Sequence, residues 1–151
     1  MEPVLARSRR YPPLHRDYLK EHISSLEKYN LVYRNSDSRW GSAPRIVSNK
    51  EVGSYGMTVY LRTVNAFKIS MAWPMPHLEV VLASLDGSSC YFSLDCFRFY
   101  WQLLLPENSR DYFTVLTPDE LYTEKRIIMG STDAVAFAQQ VAESVLIPAL
   151  N

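Results

Sequence analysis

The sequence predicts an α+β domain, a mainly antiparallel sheet with helices packed on one face. Two segments, one near each end, repeat apolar residues at helical spacing. Short runs rich in β-branched and aromatic residues lie between them. Turn residues separate those runs without the regular strand–helix alternation of a parallel sheet. With 151 residues, 47% hydrophobic and 13% aromatic, the chain has ample material for the core of one domain.

The first helix follows Pro12-Pro13. Leu14, Tyr18, Leu19, His22, Ile23, Leu26 and Tyr29 recur on one face, and Asn30, which tolerates left-handed backbone, marks its end. Residues 1–13 ahead of it are expected to form a basic, proline-containing arm, with residues 14–151 as the domain proper. Arg45 to Ser48 and Met57 to Leu61 predict two strands joined through Gly53-Ser54-Tyr55-Gly56, a hairpin with glycines available for positive φ. Met71 to Pro76 is extended by its prolines. Leu78, Val81, Leu82 and Leu85 then define one face of a second helix, ending at Asp86-Gly87 and expected to pack on a sheet. Cys90 to Asp95, Gln102 to Leu105, Tyr112 to Thr117 and Tyr122 to Met129 are β-type runs. An alanine-rich helix from Thr132 to Leu146 closes the pattern, with Thr132 as its N-cap and Pro148 as its stop.

Sixteen basic and sixteen acidic residues give a net charge of zero, which argues against a protein dedicated to coating nucleic acid. The basic residues Arg7, Arg9, Arg10, Arg16 and Lys20 nevertheless cluster at the start. Two cysteines, Cys90 and Cys96, are too few for a disulfide framework and are expected to be buried thiols. His15, His22 and His77 lack zinc-site spacing. Neither a signal-peptide core nor an apolar run of membrane-spanning length is visible, so the expectation is a soluble intracellular chain without a membrane partner.

Tyr91-Phe92-Ser93-Leu94-Asp95-Cys96-Phe97-Arg98-Phe99-Tyr100-Trp101-Gln102 is the most informative stretch. A carboxylate at the end of an apolar strand sits at the rim of a sheet, where it either holds a divalent cation or caps the next turn. The segment resembles the first catalytic motif of reverse transcriptases from gypsy-type LTR retrotransposons, a strand ending in Leu-Asp and a turn ending in Tyr-Trp-Gln or Tyr-His-Gln. The resemblance extends from about Arg9 to Val141. It includes Arg9-Arg10-Tyr11-Pro12-Pro13, Ser38-Arg39-Trp40-Gly41-Ser42-Ala43-Pro44, Met57-Thr58-Val59-Tyr60-Leu61-Arg62-Thr63-Val64-Asn65, Trp73-Pro74-Met75-Pro76-His77-Leu78 and Met129-Gly130-Ser131-Thr132-Asp133-Ala134.

The resemblance implies the fingers and first half of the palm of an RNA-directed DNA polymerase. Its catalytic metal carboxylate is Asp95, with Mg²⁺ or Mn²⁺ as the ion. Lys50 takes the place of a lysine near the γ-phosphate, and Tyr100 that of the residue beneath the sugar. Arg62 and Asn65 correspond to an element near the template strand, and Gly130 to a glycine that lets the backbone approach template or nucleotide. The implied partners are an RNA or DNA template-primer, deoxynucleotides, and the remaining polymerase and RNase H segments of a polyprotein. Without the family, Lys50 is an ordinary hairpin lysine and Tyr100 a core aromatic. The later Tyr-x-Asp-Asp carboxylates of the family have no counterpart up to Asn151. Gly56 stands where the family has a triphosphate-binding arginine, Tyr60 where it has an aspartate, and Phe99 where it has a small residue. The expectation is a fragment without activity on its own, the alternative being a non-catalytic nucleic-acid-binding or interaction remnant.

Overall fold

The computed structural model describes residues 2–150. Met1 of the expected arm and Asn151 of the expected 14–151 domain lie outside the described residues. Helix α1, Pro13–Lys28, begins with proline in its first turn, where the missing N–H costs nothing, and buries Leu19, Ile23 and Leu26. It ends as the sequence predicts: Tyr29 follows the last turn and Asn30 takes φ 58°.

Strand β1, Val32–Arg34, leaves that cap and pairs with β5, Leu121–Glu124, which pairs with β4, Thr114–Leu116. All pairings are antiparallel, in the order β1-β5-β4. A separate antiparallel hairpin joins β2, Pro44–Ser48, to β3, Tyr55–Val59, with Ile46 opposite Met57. Gly53 in its turn has φ 78°, whereas Gly56 lies inside β3. Between hairpin and sheet runs Trp40-Gly41-Ser42-Ala43-Pro44, entirely buried. The Trp40 ring meets Tyr112 edge-on at 5.0 Å and Phe67 at 6.3 Å. The arm is tied to this run: Gly41 N–H donates to Val4 O and Ala6 N–H to Gly41 O.

Two apolar clusters hold these parts together. One joins Leu19, Ile23 and Leu26 of α1 to Val32 and Ile46. The other collects Leu61, Val64, Leu103, Leu105, Phe113, Ile127, Ala134 and Ala138. The second cluster draws on α2, Arg62–Ala66, and on α6, Ala134–Leu150. The intervening short helices are α3, Leu78–Ser84, α4, Phe99–Gln102, and α5, Glu107–Arg110. No described helix is long and apolar enough to cross a membrane.

The α+β class and the antiparallel pairing agree with the sequence; several local expectations do not, among them Gln102 to Leu105, where Gln102 closes α4 and Leu104 forms only an isolated bridge. Cys90 to Asp95 is not a strand, because no described segment pairs with it, and isolated extended chain has no ladder to stabilise it. Helix α3 does not pack on a sheet: it buries no residue, and Leu78 and Leu82 are 71% and 58% exposed. Cys90 and Cys96 are exposed rather than buried. Thr132 does not cap α6, since its N–H donates to Asn65 and the helix starts two residues later; Pro148 lies inside the helix's last turn, where it removes only one terminal bond.

Residues 74–98 are all exposed, so the molecule consists of a packed body and an unpacked excursion. Leu19→Ala, at a site only 1% exposed, should lower the free energy of unfolding by about 2–5 kcal/mol in urea titrations. Leu82→Ala should stay within about 0.5 kcal/mol of wild type.

Candidate active site and its surroundings

Asp95 occupies the exposed excursion, three residues before the turn that leads into α4. Arg98, at φ 47°, makes that turn and lays its guanidinium over the Trp101 ring at 4.7 Å and the Phe97 ring at 5.2 Å. Tyr100 follows on α4, half-buried, with its body against the second apolar cluster. Lys50 stands exposed in the β2–β3 turn and does not line the cavity beside Tyr100.

Asn65 and Gly130, far apart in sequence, meet. The Asn65 Nδ2 donates to Gly130 O at 2.9 Å, and its Oδ1 accepts from Thr132 N–H at 3.1 Å. Gly130 at φ 96° turns the chain there, a conformation that strains any L side chain. Lys68 fastens the same loop by donating to Ser131 Oγ at 2.9 Å and pairing with Asp133 at 3.3 Å, while Met71 N–H donates to Asp133 Oδ1. The side chain of Asn65 is thereby committed to the protein's own backbone. Arg62, at the start of α2, is exposed, and its proximity to the Tyr60 hydroxyl raises the guanidinium's pKa further. Arg9 and Arg45 flank Tyr60 around a shallow hollow of about 250 Å³.

The donor set does not fit a pair of divalent cations. Two metals need several carboxylates, and no group of three or more His, Cys, Asp or Glu side chains among the described residues could hold even one ion. Asp95 is exposed and belongs to no such group among the described residues.

Known proteins resemble this chain over nearly its whole length. The Pol polyprotein of the transposon gypsy of Drosophila melanogaster is 27% identical over 152 aligned positions, covering 96% of this chain. The polyprotein of the Drosophila transposon opus is 26% identical over the same share. The chain also matches 87% of its length, at 24% identity, to the enzymatic polyprotein of cauliflower mosaic virus (strain CM-1841). Its fold superposes on the protease–reverse transcriptase of prototype foamy virus with a TM-score of 0.84 over 98% of this chain, at 17% identity. The chain is similar in sequence to the Pol polyproteins of gypsy-type retrotransposons and in fold to a retroviral reverse transcriptase. It shares the fold of the matching segment and spans 14% and 15% of the gypsy and opus polyproteins and 20% of the foamy virus chain. A second foamy viral structure, determined in complex with double-stranded DNA, superposes with a TM-score of 0.77 over 97% of this chain at 13% identity. No protein-family model matches the chain.

A residue absent from the sequence expectations lies close to this site. Glu124, opposite Val32 in the sheet, is 6% exposed, and burial alone pushes its carboxyl up from 4.5 to about 8. The signal was present in Leu121-Tyr122-Thr123-Glu124. In β5 residues two apart share a face, so Glu124 follows Tyr122 toward the cluster built on α1. The folded protein holds a proton on Glu124 that the unfolded chain releases. This stability is fully present below about pH 4.5 and is lost as pH rises through about 8. Between pH 5 and 8 the wild type should lose stability relative to Glu124→Gln by on the order of 1 kcal/mol per pH unit, read as diverging urea midpoints.

Proposed function

We propose that the chain serves as the fingers and partial palm of an RNA-directed DNA polymerase encoded by a retrotransposon polyprotein, and that it does not polymerise by itself. In this reading residues 1–13 are an arm on the domain formed by 14–151, and Asp95 is the first of the catalytic carboxylates. Lys50 faces the triphosphate and Tyr100 the sugar of the incoming deoxynucleotide. Arg62, Asn65 and Gly130 border the template strand, and Mg²⁺ or Mn²⁺ is the ion required.

The isolation of Asp95 supports the absence of self-sufficient activity. With one exposed carboxylate, the chain cannot align a primer hydroxyl and stabilise a transferring phosphate through two ions. Asn65 and Gly130 hold one another, so their part in template binding is to shape the loop. Phe99 packs against the second apolar cluster, next to the position where a sugar would lie over Tyr100. A Cβ added at Gly56 would meet Asn49 Oδ1 and Val47 Cγ2 at 3.4 and 3.5 Å, so the backbone there accepts a side-chain root at ordinary contact distance.

The exposed apolar excursion supports a partnership with further polymerase segments. Val81, Leu85, Phe92 and Leu94 are 42%, 40%, 85% and 73% exposed, which suits a surface covered by adjoining polyprotein rather than one facing water.

In primer extension with a primed RNA template, deoxynucleotides and Mg²⁺ or Mn²⁺, the purified chain should give no product above an Asp95→Ala control. Extension above that control would overturn the proposal.

A second reading, a nucleic-acid-binding remnant without chemistry, is favoured by one observation. Arg9, Arg45 and Arg62 lie around Tyr60 and form no ion pair among the described residues. Any affinity for single-stranded RNA should then be sequence-tolerant and steeply salt-dependent. Replacing Arg45 and Arg62 together by alanine should reduce the slope of log affinity against log salt by about 1.4, at roughly 0.7 for each phosphate no longer neutralised. An unchanged slope would count against this reading.

A further inference from the structure

Four aromatic rings from separate parts of the chain converge on a hollow of about 220 Å³ that none of the candidate site residues lines. Trp40 comes from the buried run ahead of the hairpin, Phe67 follows α2, and Tyr112 and Phe113 follow α5. Trp40 and Phe113 are buried, whereas Phe67 and Tyr112 remain 46% and 38% exposed. Phe67 stands across Trp40 at 76° and Tyr112 stands across it at 69°, yet no ring contact joins Phe67 to Tyr112 among the described residues. The two rings therefore wall a slot with Trp40 at its base and a mouth open to solvent. Large aromatic side chains stabilise a fold by covering their surface with other groups, and here nothing described fills the space between two of them.

The same cluster already attracts a cation. Lys68 Nζ lies 5.4 Å from the centre of the Phe113 ring, within the range at which a ring face draws positive charge. That ammonium is engaged outside the slot: it donates to Ser131 Oγ and pairs with Asp133, and both partners line a neighbouring hollow rather than this one. Lys68 thus lends its stem to the slot while Asp133 balances its charge. The remaining lining residues are Val64 and Ser109, so the slot contains no carboxylate. A primary ammonium or a guanidinium entering it would give up water without finding acceptors for its N–H groups. A quaternary ammonium has no N–H to satisfy and spreads its charge over methyl groups that rings contact directly.

We propose that the slot binds a quaternary ammonium cation, its methyl groups set against Trp40, Phe67 and Tyr112. Burial of methyl surface and attraction to the ring faces supply the affinity. Ser109 donates its own proton to Asn108 Oδ1, which leaves its hydroxyl oxygen free to accept from a hydroxyl on the ligand. The site requires neither Asp95, Lys50, Tyr100, a metal nor a template, and stands apart from the polymerase reading.

The probe is choline chloride, added to the full chain without divalent cations or nucleic acid and followed by calorimetry and by the chemical shift of the Trp40 indole, with sodium chloride at matched ionic strength as the blank. Choline should bind with a Kd of about 1 mM or tighter. Neohexyl alcohol, in which carbon replaces the nitrogen, has the same shape without the charge and should bind at least tenfold more weakly. Phe67→Leu together with Tyr112→Leu keeps the slot apolar at two part-exposed positions; the pair should leave the far-ultraviolet circular dichroism unchanged and lower choline affinity at least tenfold. Phe67→Tyr together with Tyr112→Phe retains both rings and should keep the affinity within about twofold of wild type. Phosphatidylcholine vesicles separate two sources of the same head group: sedimentation with wild type but not with the double leucine variant would make it lipid-borne, and choline binding without sedimentation would make it a free small molecule, the slot standing in both cases. Absence of choline binding by wild type, equal binding of neohexyl alcohol, or full affinity in the folded double leucine variant would each overturn the proposal.

Discussion

The body of this molecule depends on a chain of buried hydroxyl and amide contacts through its three-stranded sheet. Thr114 and Thr123, both fully buried, share a hydrogen bond of 2.7 Å across the β4–β5 pair. Asn35 donates to Thr123 at 3.0 Å and to Asp111 at 3.1 Å, and Ser38 meets Thr114 at 3.0 Å. Each member satisfies the next, as a buried polar network must to avoid a penalty. The network sets the register of β4 on β5 and brings the loop after β1 over the sheet. From there the chain enters the buried Trp40–Pro44 run, which leads directly into the hairpin.

That dependence explains which parts of the fold were legible in the sequence. α1 was readable to its cap because seven apolar or aromatic residues on one face and an asparagine at the end encode it locally. The hairpin was readable for the same reason: its strands and glycines are neighbours. The Cys90–Leu94 run has equally strong β character, yet it remains coil, since propensity expresses itself only against a neighbouring strand. Likewise α3 has an apolar stripe and nothing described to set it against. The clasp of Asn65 on Gly130 was not legible, because it depends on a contact across the tertiary fold.

The candidate positions divide along the same line. Tyr100, Asn65 and Gly130 belong to the packed body, where their geometry is set by neighbours. Asp95 stands in exposed coil and Lys50 in a solvent-facing turn, and the placement of both owes little to the core. The sequence resemblance treats these residues as one constellation, whereas the described residues hold only part of it in fixed relation. Arg62, beside the Tyr60 hydroxyl, lies between the two groups: its backbone is anchored by Leu61 and Val64, and its side chain is exposed.

The exposed stretch from 74 to 98 starts soon after α2 and ends at α4, and both flanks lie against the same apolar cluster. Topologically it is a closed loop on a finished body. The entropy of closing such a loop grows only with the logarithm of its length, about 0.6 kcal/mol for each doubling. Insertions, deletions and substitutions within it are therefore nearly invisible to folding. Mutational drift in this stretch, which includes the most diagnostic acid of the chain, would escape any selection acting on stability alone. The record of ancestry thus lies where the physics of the fold exerts the least restraint.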